Sequence, residues 1–263
     1  MDTLINKKAF ICDMDGVIYH GNLLLDGVKE FVGWLAENGK EFIFLTNSSE
    51  RSPRELRQKL ARLGLDVGEE HFYTSALATA AFLKSQCPGG SAYVIGEPGL
   101  VYALYDAGFS MNDVNPDYVV VGETASYSYE KILKAVALVR GGAKLIGANP
   151  DVTGPIENGI APATRALISP IEMASARHAY FIGKPNPLMM RHAQKRLGVS
   201  PSETVIIGDR MDTDIVAGIE SEMDTVLVLS GVTSRETMTE YPYRPTYVLN
   251  GVGDIPEYAR ERG

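Results

Sequence analysis

Residues 9–16 read Ala-Phe-Ile-Cys-Asp-Met-Asp-Gly, four apolar residues that run directly into two acids and a glycine. A short apolar run of this kind, bounded by a turn signal, is typical of a buried strand in a parallel sheet. Asp13 and Asp15 then lie at the carboxyl end of the strand, where ligands bind in open α/β sheets. Residues two apart on an extended chain point the same way, and Gly16 lets the chain turn away. Both carboxylates can therefore reach one site.

Strand-like apolar runs alternate with amphipathic helical stretches along most of the chain. The first helical stretch lies near residues 27–37, where apolar residues recur at spacings of three and four, and Gly39 ends it. After the strand-like run 42–45, Ser52 and Glu55 form a capping box with a proline at the first helical position. This alternation predicts the α/β class, with a Rossmann-like, doubly wound and mostly parallel sheet.

A second domain is expected in the middle of the chain, because the pattern changes character there. Residues 80–179 have strands and helices of their own, and a long segment containing proline and glycine, 149–162, reads as a loop. The strand-like run at 179–182 then resumes the pattern of the first half. We therefore predict a core formed by 1–79 and 180–263, with 80–179 inserted into it.

Composition and charge exclude several classes of partner. The chain has 263 residues, 45% of them hydrophobic, and a net charge of -8 without a cluster of basic residues, which argues against binding to a nucleic acid polymer. No apolar run reaches about 18 residues, and no signal-peptide pattern is present, so we expect a cytoplasmic protein without a membrane partner. Cys12 and Cys87 are far apart and predict neither a disulfide framework nor a metal knuckle.

A second group of acids, within Gly208-Asp209-Arg210-Met211-Asp212-Thr213-Asp214, follows another apolar strand. The carboxyl ends of parallel strands meet at one edge of a sheet, so this group is expected beside Asp13 and Asp15. Two acidic strand ends offer Mg²⁺ the hard oxygen ligands that it prefers, and leave room for waters and phosphate oxygens. Taken alone, Asp-x-Asp-Gly is more often a solvated turn than a catalytic site, and some of the acids in the second group are expected to cap a helix N-terminus.

Three further polar residues could bind a phosphate group. Lys184 follows the strand-like run 180–182, and Pro185 restricts its backbone, so its ammonium group could lie beside carboxylates and phosphate. Thr46 and Asn47 stand between a strand end and a helix start, where a hydroxyl, an amide and backbone N–H groups can hold phosphate oxygens. Taken singly, a lysine is more typical of the solvated surface, and Thr46 and Asn47 are each a weak signal.

A strand, a glycine and an acid also occur in succession at two positions inside the predicted insertion. The acids are Glu97 and Glu123. We expect each carboxylate to meet the N-terminus of the following helix, where the helix dipole favours a negative charge. Neither residue is assigned to catalysis.

In their order and context, four motifs resemble those of the haloacid dehalogenase superfamily of phosphatases. They are Asp13-x-Asp15-Gly16, Thr46-Asn47, Gly183-Lys184-Pro185 and Gly208-Asp209-xxx-Thr213-Asp214. The insertion, with Asn149-Pro150-Asp151 inside it, resembles the class IIA, type C2 cap of the NagD and p-nitrophenyl-phosphatase subfamily. The resemblance spans almost the whole chain and implies a core of that superfamily's fold with an inserted α/β cap.

The resemblance also implies a role for each motif residue in hydrolysis of a phosphate ester. Asp13 would attack phosphorus to form an aspartyl-phosphate, and Asp15 would act as general acid and then as general base. Mg²⁺ would be held by the Asp13 carboxylate, the Asp15 backbone carbonyl and Asp209, with Asp214 orienting that shell. The phosphoryl group would be held by Thr46, Asn47, Ser48 and Lys184.

One departure from the family and several alternatives affect this interpretation. Where the family commonly closes a helix with glycine, this chain has Ser221-Glu222-Met223, so we expect a looser helix end. Asp15 argues against a dehalogenase or phosphonatase, whose chemistry does not use a second aspartate there. A signalling receiver that keeps its phosphoaspartate without turnover is shorter than this chain and lacks the insertion. A binding or scaffold protein that has kept the fold is the third alternative.

The expected substrates are small phosphorylated metabolites such as nucleotides, sugar phosphates or phosphates of small acids. A cap that closes over the site excludes macromolecules and leaves its inner loop to choose among small esters. Residues 149–163 are the candidate for that loop. A cap surface is also a place where a homodimer could form.

Overall fold

The computed structural model describes residues 1–156 and 159–262, the side chain of Arg262 excepted. The helices are α1 (Asp2–Ile5), α2 (Val28–Glu37), α3 (Pro53–Arg62), α4 (Ser75–Gln86), α5 (Pro98–Asp106), α6 (Tyr129–Arg140), α7 (Thr164–Ser175), α8 (Pro187–Leu197), α9 (Val216–Glu220) and α10 (Asp254–Arg262). The strands are β1 (Ala9–Cys12), β2 (Tyr19–His20), β3 (Leu23–Leu24), β4 (Glu41–Thr46), β5 (Phe72–Thr74), β6 (Ser91–Ile95), β7 (Ser110–Met111), β8 (Tyr118–Val121), β9 (Lys144–Gly147), β10 (Thr153–Ile156), β11 (Gly159–Pro162), β12 (Tyr180–Phe181), β13 (Thr204–Gly208), β14 (Asp224–Val228) and β15 (Tyr247–Leu249).

The chain divides into two compact units. The first comprises Met1–Thr46, Arg57–Tyr73 and Lys184–Gly263, and the second comprises Asn47–Leu56 and Thr74–Gly183. The insertion expected at 80–179 falls inside the second unit, which also takes in the short segment after β4. None of the described helices is long and apolar enough to cross a membrane.

The first unit is built around a six-stranded sheet in the order β15-β14-β13-β1-β4-β5. Strand β1 pairs in parallel with both β13 and β4, and all four of its residues are fully buried. Continuous burial is what a strand covered by helices on both faces requires. The chain leaves β1 toward β4 and β5 and later returns on the other side as β13, β14 and β15, so the strand order reverses at β1.

Helix α2 covers this sheet in the way that its apolar spacing predicts. Val28, Phe31 and Leu35 are fully buried, and Phe31 meets the ring of Phe10 edge-on with 6.1 Å between centroids. The helix ends at Glu37, just before Gly39, whose φ of 59° lies in the left-handed region. The sequence-based prediction of this helix and of its end is confirmed.

The second unit contains a five-stranded parallel sheet in the order β12-β9-β8-β6-β7 and an antiparallel hairpin of β10 and β11. Its apolar core gathers Val119 and Val121 of β8 with Ile168 and Ile171 of α7, all fully buried. The unit is thus an α/β domain with its own sheet and its own core.

Two local expectations differ from the structure. The run at 179–182 does not resume the first sheet, because Tyr180 and Phe181 pair with Ile146 and Gly147 of β9 in the second unit. The segment expected as a long loop contains β10 and β11 instead. Of the candidate specificity loop 149–163, residues 157–158 lie outside the described residues.

Candidate active site

The point where the strand order reverses brings Asp13 and Asp209 to the same edge of the first sheet. Cys12 is the register partner of Ile207, and the Asp13 N–H donates to the Ile207 carbonyl at 2.8 Å. Asp13 follows β1, and Asp209 follows β13. Crevices at such reversal points, beyond the carboxyl ends of the strands, are the usual ligand sites of open α/β sheets.

Two glycines allow the backbone to close around the Asp209 carboxylate. Gly16 has φ 78°, and a Cβ placed there would come within 2.5 Å of Asp209 Oδ2. A Cβ at Gly231 would come within 2.0 Å of the same oxygen. That oxygen accepts a hydrogen bond from the Val232 N–H at 2.7 Å. Oδ1 of Asp209 is buried and has no hydrogen-bond partner among the described residues.

Lys184 lies between two carboxylates in the interior of the first unit. Its side chain is 2% exposed, and Nζ donates to Asp13 Oδ1 at 2.6 Å and to Asp214 Oδ1 at 2.7 Å. Burial by itself lowers the pKa of a lysine, but the two carboxylates outweigh burial and raise the pKa of Lys184 above its usual value. The residue is therefore a permanent buried cation.

Asp13, Asp209 and Asp214 form an acidic cluster whose oxygens fit a hard divalent cation. One carboxylate oxygen from each lies within 4.8 Å of the other two. Burial, with the neighbouring carboxylates Asp13 and Asp214, raises the pKa of Asp209. Burial also raises the pKa of Asp214, against the opposing effect of Lys184. The cluster carries more negative charge than one lysine balances, and Oδ1 of Asp209 has no hydrogen-bond partner among the described residues. Both features suit Mg²⁺.

Asp15, two residues after Asp13, is more exposed than the three clustered acids. Its side chain is 41% exposed, and His20 Nδ1 lies 3.8 Å from Asp15 Oδ1. Burial raises the pKa of Asp15, while Lys59 and His20 act to lower it. A carboxyl group whose pKa is raised and which solvent can reach is suited to exchange protons with a substrate or with water.

The four residues predicted to hold phosphate are divided between the two units, and Lys184 belongs to the first. Thr46 ends β4 and belongs to the first unit, at the edge that Asp13 occupies, since Cys12 pairs with Phe44. Asn47 and Ser48 belong to the second unit. The side-chain amide of Asn47 donates to both carboxylate oxygens of Asp151, at 3.2 and 3.1 Å.

Sequence reasoning failed to anticipate what the glutamates of the second unit contact. Glu97 accepts hydrogen bonds from the Thr124 hydroxyl and the Ala125 N–H, and Glu123 accepts from Ser49 and from the Asn149 amide. The expectation that each carboxylate meets the next helix N-terminus is wrong, because both bond loop residues instead, and Glu97, the N-cap residue of α5, makes no side-chain hydrogen bond to that fully described helix. The role of Val232 as a donor to Asp209 was also missed. Its only sequence signal was the polar Ser230-Gly231 step after an apolar strand.

Comparison with known proteins identifies the family. Residues 10–110 match the family model of haloacid dehalogenase-like hydrolases, and residues 181–255 match a second, HAD-hydrolase-like model. Dihydroxyacetone phosphatase from Corynebacterium glutamicum (strain R) is 47% identical over 249 residues, which are 95% of this chain and 90% of that protein. The chain belongs to the haloacid dehalogenase superfamily. It is a phosphatase of the NagD-like subfamily, acting on phosphoric monoesters.

Two further relatives support this membership of the haloacid dehalogenase superfamily. Ribonucleotide monophosphatase NagD from Escherichia coli (strain K12) is 42% identical, covering 94% of this chain and 98% of that protein. The crystal structure of 4-nitrophenylphosphatase from Thermotoga maritima has a TM-score of 0.93 and 31% identity, covering 97% of this chain and 98% of that one. These relatives are all named as phosphatases, which argues against the receiver and scaffold alternatives.

Proposed function

We propose that this phosphatase is Mg²⁺-dependent and hydrolyses small phosphate monoesters through an aspartyl-phosphate formed on Asp13. The observation that carries the proposal is the buried Lys184, which Asp13 shares with Asp214 while an oxygen of Asp209 stays unpaired beside them. Burying a lysine among three carboxylates costs free energy, which is more typical of a functional site than of a structural core. Attack of one anion on another requires cations close to both, and this arrangement supplies one.

In the first step, a carboxylate oxygen of Asp13 forms a bond to phosphorus as the bond from phosphorus to the leaving oxygen breaks. Asp15 gives its proton to that oxygen, so the product departs as a neutral alcohol. Burial raises the pKa of Asp15, which is the direction that general acid catalysis by a carboxyl group requires. Lys184 holds the Asp13 carboxylate in place for attack.

In the second step, water attacks the phosphorus of the aspartyl-phosphate and the bond from phosphorus to Asp13 breaks. Asp15, now ionised, takes a proton from that water. Inorganic phosphate leaves, and the two aspartates return to their starting protonation states. Covalent catalysis of this kind replaces one difficult displacement with two easier ones.

The Mg²⁺ ion, when bound, would neutralise charge on the transferring phosphoryl group. Asp13 and Asp209 would hold it with carboxylate oxygens and Asp15 with its backbone carbonyl. Asp214, which accepts hydrogen bonds from Lys184 and the Arg210 N–H, would keep the lysine and this set of oxygens in position. Thr46, Asn47 and Ser48 would hold the phosphoryl oxygens.

The substrate class that best suits the chain is a small metabolite phosphate, either a nucleotide or a phosphate of a sugar or small acid. The two curated relatives are named for dihydroxyacetone phosphate and for ribonucleotide monophosphates, which share only the phosphate ester. Choice among such esters would depend on the second unit, acting as a cap, and on residues 149–163.

The setting proposed for this enzyme is the cytoplasm, without a nucleic acid or membrane partner. A homodimer through the cap is favoured by large apolar side chains that the second unit exposes on α5 and α7, namely Tyr102, Tyr105 and Met173. Light scattering on the purified protein should give twice the mass of one chain. A monomeric mass at micromolar concentration would contradict the dimer.

The experiment that tests this function is a phosphate-release screen over nucleotide, sugar and small-acid phosphates, with Mg²⁺ and with EDTA. We expect release from several small esters in Mg²⁺ and loss of that release in EDTA. Activity that survives EDTA would contradict the metal assignment. Failure to release phosphate from every ester in Mg²⁺ would contradict the substrate class.

A further inference from the structure

Asn47 is held by hydrogen bonds to other residues of the second unit. Its backbone carbonyl accepts from the Asn149 amide at 2.7 Å and from the Ser75 hydroxyl. Its side-chain amide donates to Asp151, as described above. A residue tied at both backbone and side chain has little freedom to reorient, so the groups that hold it also determine where its donors point.

Asn149 connects this residue to a glutamate. The side chain is fully buried, and Nδ2 donates to the Asn47 carbonyl and to Glu123 Oε1, the latter at 2.5 Å. Its Oδ1 accepts from the Asp151 N–H at 3.1 Å. Both amide hydrogens and the amide oxygen are therefore used, which fixes the orientation of the amide.

Glu123 completes the network from the other side. Its Oε2 accepts from both the N–H and the hydroxyl of Ser49, two residues after Asn47. None of the lysine, arginine or histidine side chains described in the structure forms an ion pair with it. Burial raises the pKa of Glu123 in spite of these hydrogen bonds. Glu123 thus accepts three hydrogen bonds, two from Ser49 and one from Asn149, and has no cationic partner among the described residues. It is well placed to fix the geometry of the loop 47–50.

Three glycines leave space for the loop 47–50 in this network. A Cβ at Gly122 would come within 2.4 Å of Ser49 Oγ, and one at Gly183 within 2.7 Å of Asn47 Oδ1. A Cβ at Gly99 would come within 2.6 Å of the Glu50 carbonyl, which accepts from the Gly99 N–H at 3.0 Å. Two strand ends of the second sheet and the first turn of α5 thus approach the loop closely.

We propose that Glu123 is a positioning residue for phosphate binding, acting through Ser49 and Asn149 on Asn47. The inference rests on the proposed function, in which Asn47 holds the phosphoryl group. It assigns to the second unit a part in binding the phosphate common to all substrates, in addition to choosing the leaving group.

Glu123→Gln tests the proposal, because Ser49 and Asn149 donate to different oxygens of Glu123, and glutamine replaces one of these oxygens with an NH₂ group that would face a donor. We expect the Ki of inorganic phosphate and the KM of p-nitrophenyl phosphate to rise about tenfold each, with a smaller change in kcat. Glu97→Gln is the matched control. Glu97 also follows a strand and a glycine in the same unit, but it accepts hydrogen bonds from Thr124 and Ala125. The Ki of inorganic phosphate for Glu97→Gln should therefore stay at the wild-type value.

A second variant, Ser49→Ala, keeps the test valid if Glu123→Gln does not fold. It removes one hydrogen bond to Glu123 and should raise the Ki of phosphate about threefold. In the double variant the two effects should be less than additive, since both act through one contact. An unchanged Ki in Ser49→Ala, or an equal rise in Glu97→Gln, would overturn the proposal. A wild-type protein without phosphatase activity in Mg²⁺ would instead overturn the proposed function.

Discussion

Lys184 is the buried cation that pairs with Asp13 and Asp214 in the first unit. It is almost fully buried and donates to Asp13, to Asp214 and to the Leu45 carbonyl, the last at 3.4 Å. In a buried ion pair, removal of one partner leaves the other charge uncompensated and lowers the free energy of unfolding. Removing the lysine leaves two carboxylates without compensation in a poorly solvated site.

Lys184→Met should therefore affect both stability and rate. In EDTA at pH 8 we expect the free energy of unfolding to fall by roughly 3 kcal/mol, because buried carboxylates lose their cation. The loss should be smaller at pH 5, since burial already raises the pKa of Asp214 and protonation then removes its charge. In Mg²⁺, kcat should fall about 100-fold.

Urea unfolding at the two pH values and steady-state kinetics measure these effects of Lys184→Met. Lys8→Met is the control, because Lys8 is 66% exposed and pairs with Glu203 at the surface. Little change is expected there in stability or rate. An equal loss of stability at pH 5 and pH 8 in Lys184→Met would contradict the electrostatic explanation.

Replacing Asp209 should have the opposite effect on stability from replacing Lys184. The pKa of Asp209 in the folded protein is raised by burial and by Asp13 and Asp214, so the ionised form destabilises the folded state when no metal is bound. That penalty is absent below the ordinary pKa of an aspartate, grows as pH rises from there, and is complete above the raised pKa. In EDTA, Asp209→Asn should thus be more stable than wild type at pH 8 but not at pH 4. Denaturation curves that show no gain at pH 8 would contradict the proposed crowding of charge.

Among the secondary-structure elements, those with strong local signals were predictable and those that depend on a distant partner were not. The capping box at Ser52 is present as predicted, with the Ser52 N–H bonding Glu55 Oε2 at 2.8 Å and the Glu55 N–H bonding Ser52 Oγ at 3.3 Å. Hairpin β10 and β11 was not predicted, because Gly154 and Pro155 disfavour a strand and only pairing with β11 makes one.

The end of α9 gives a prediction at this scale. The helix ends at Glu220, and the non-glycine residue Glu222 takes φ 59° in the left-handed region. Since this conformation is unfavourable for a residue with a Cβ, Glu222→Gly should raise the free energy of unfolding by about 1 kcal/mol. Glu220→Gly, at a helical position, should lower it by roughly the same amount. Thermal unfolding of both variants measures the difference, and destabilisation by Glu222→Gly would show that the backbone there is not strained.

At the scale of the whole molecule, the α/β class and the strand ends of the first unit followed from apolar runs that end in acids. Asp13 and Asp209 were placed together correctly because parallel strands share an edge. The strand before Lys184 was predicted to join the wrong sheet, because a run of apolar residues does not indicate which sheet a strand joins. The roles of Ser49 and Glu123 could not be predicted, because they depend on contacts between residues 74 positions apart.

Metal binding should stabilise the first unit as a whole. If Mg²⁺ binds the acidic cluster, a concentration of about 100 times Kd adds roughly 2.7 kcal/mol to the free energy of unfolding. The midpoint of thermal unfolding should then rise by roughly 5 °C or more. Asp209→Asn should lose most of this rise while its unfolding stays cooperative. An equal rise in the variant would place the ion elsewhere.

The central claim, an aspartyl-phosphate on Asp13, is tested most directly by trapping the intermediate. The enzyme is mixed with p-nitrophenyl phosphate and Mg²⁺, quenched in acid during turnover and treated with borohydride, which reduces an acyl phosphate to an alcohol. Peptide mass spectrometry should find homoserine in place of aspartate at position 13 in the wild type. Asp13→Asn should show no reduced residue and no phosphate release. Undiminished turnover by Asp13→Asn, or wild-type turnover with reduction at another acid, would contradict the account.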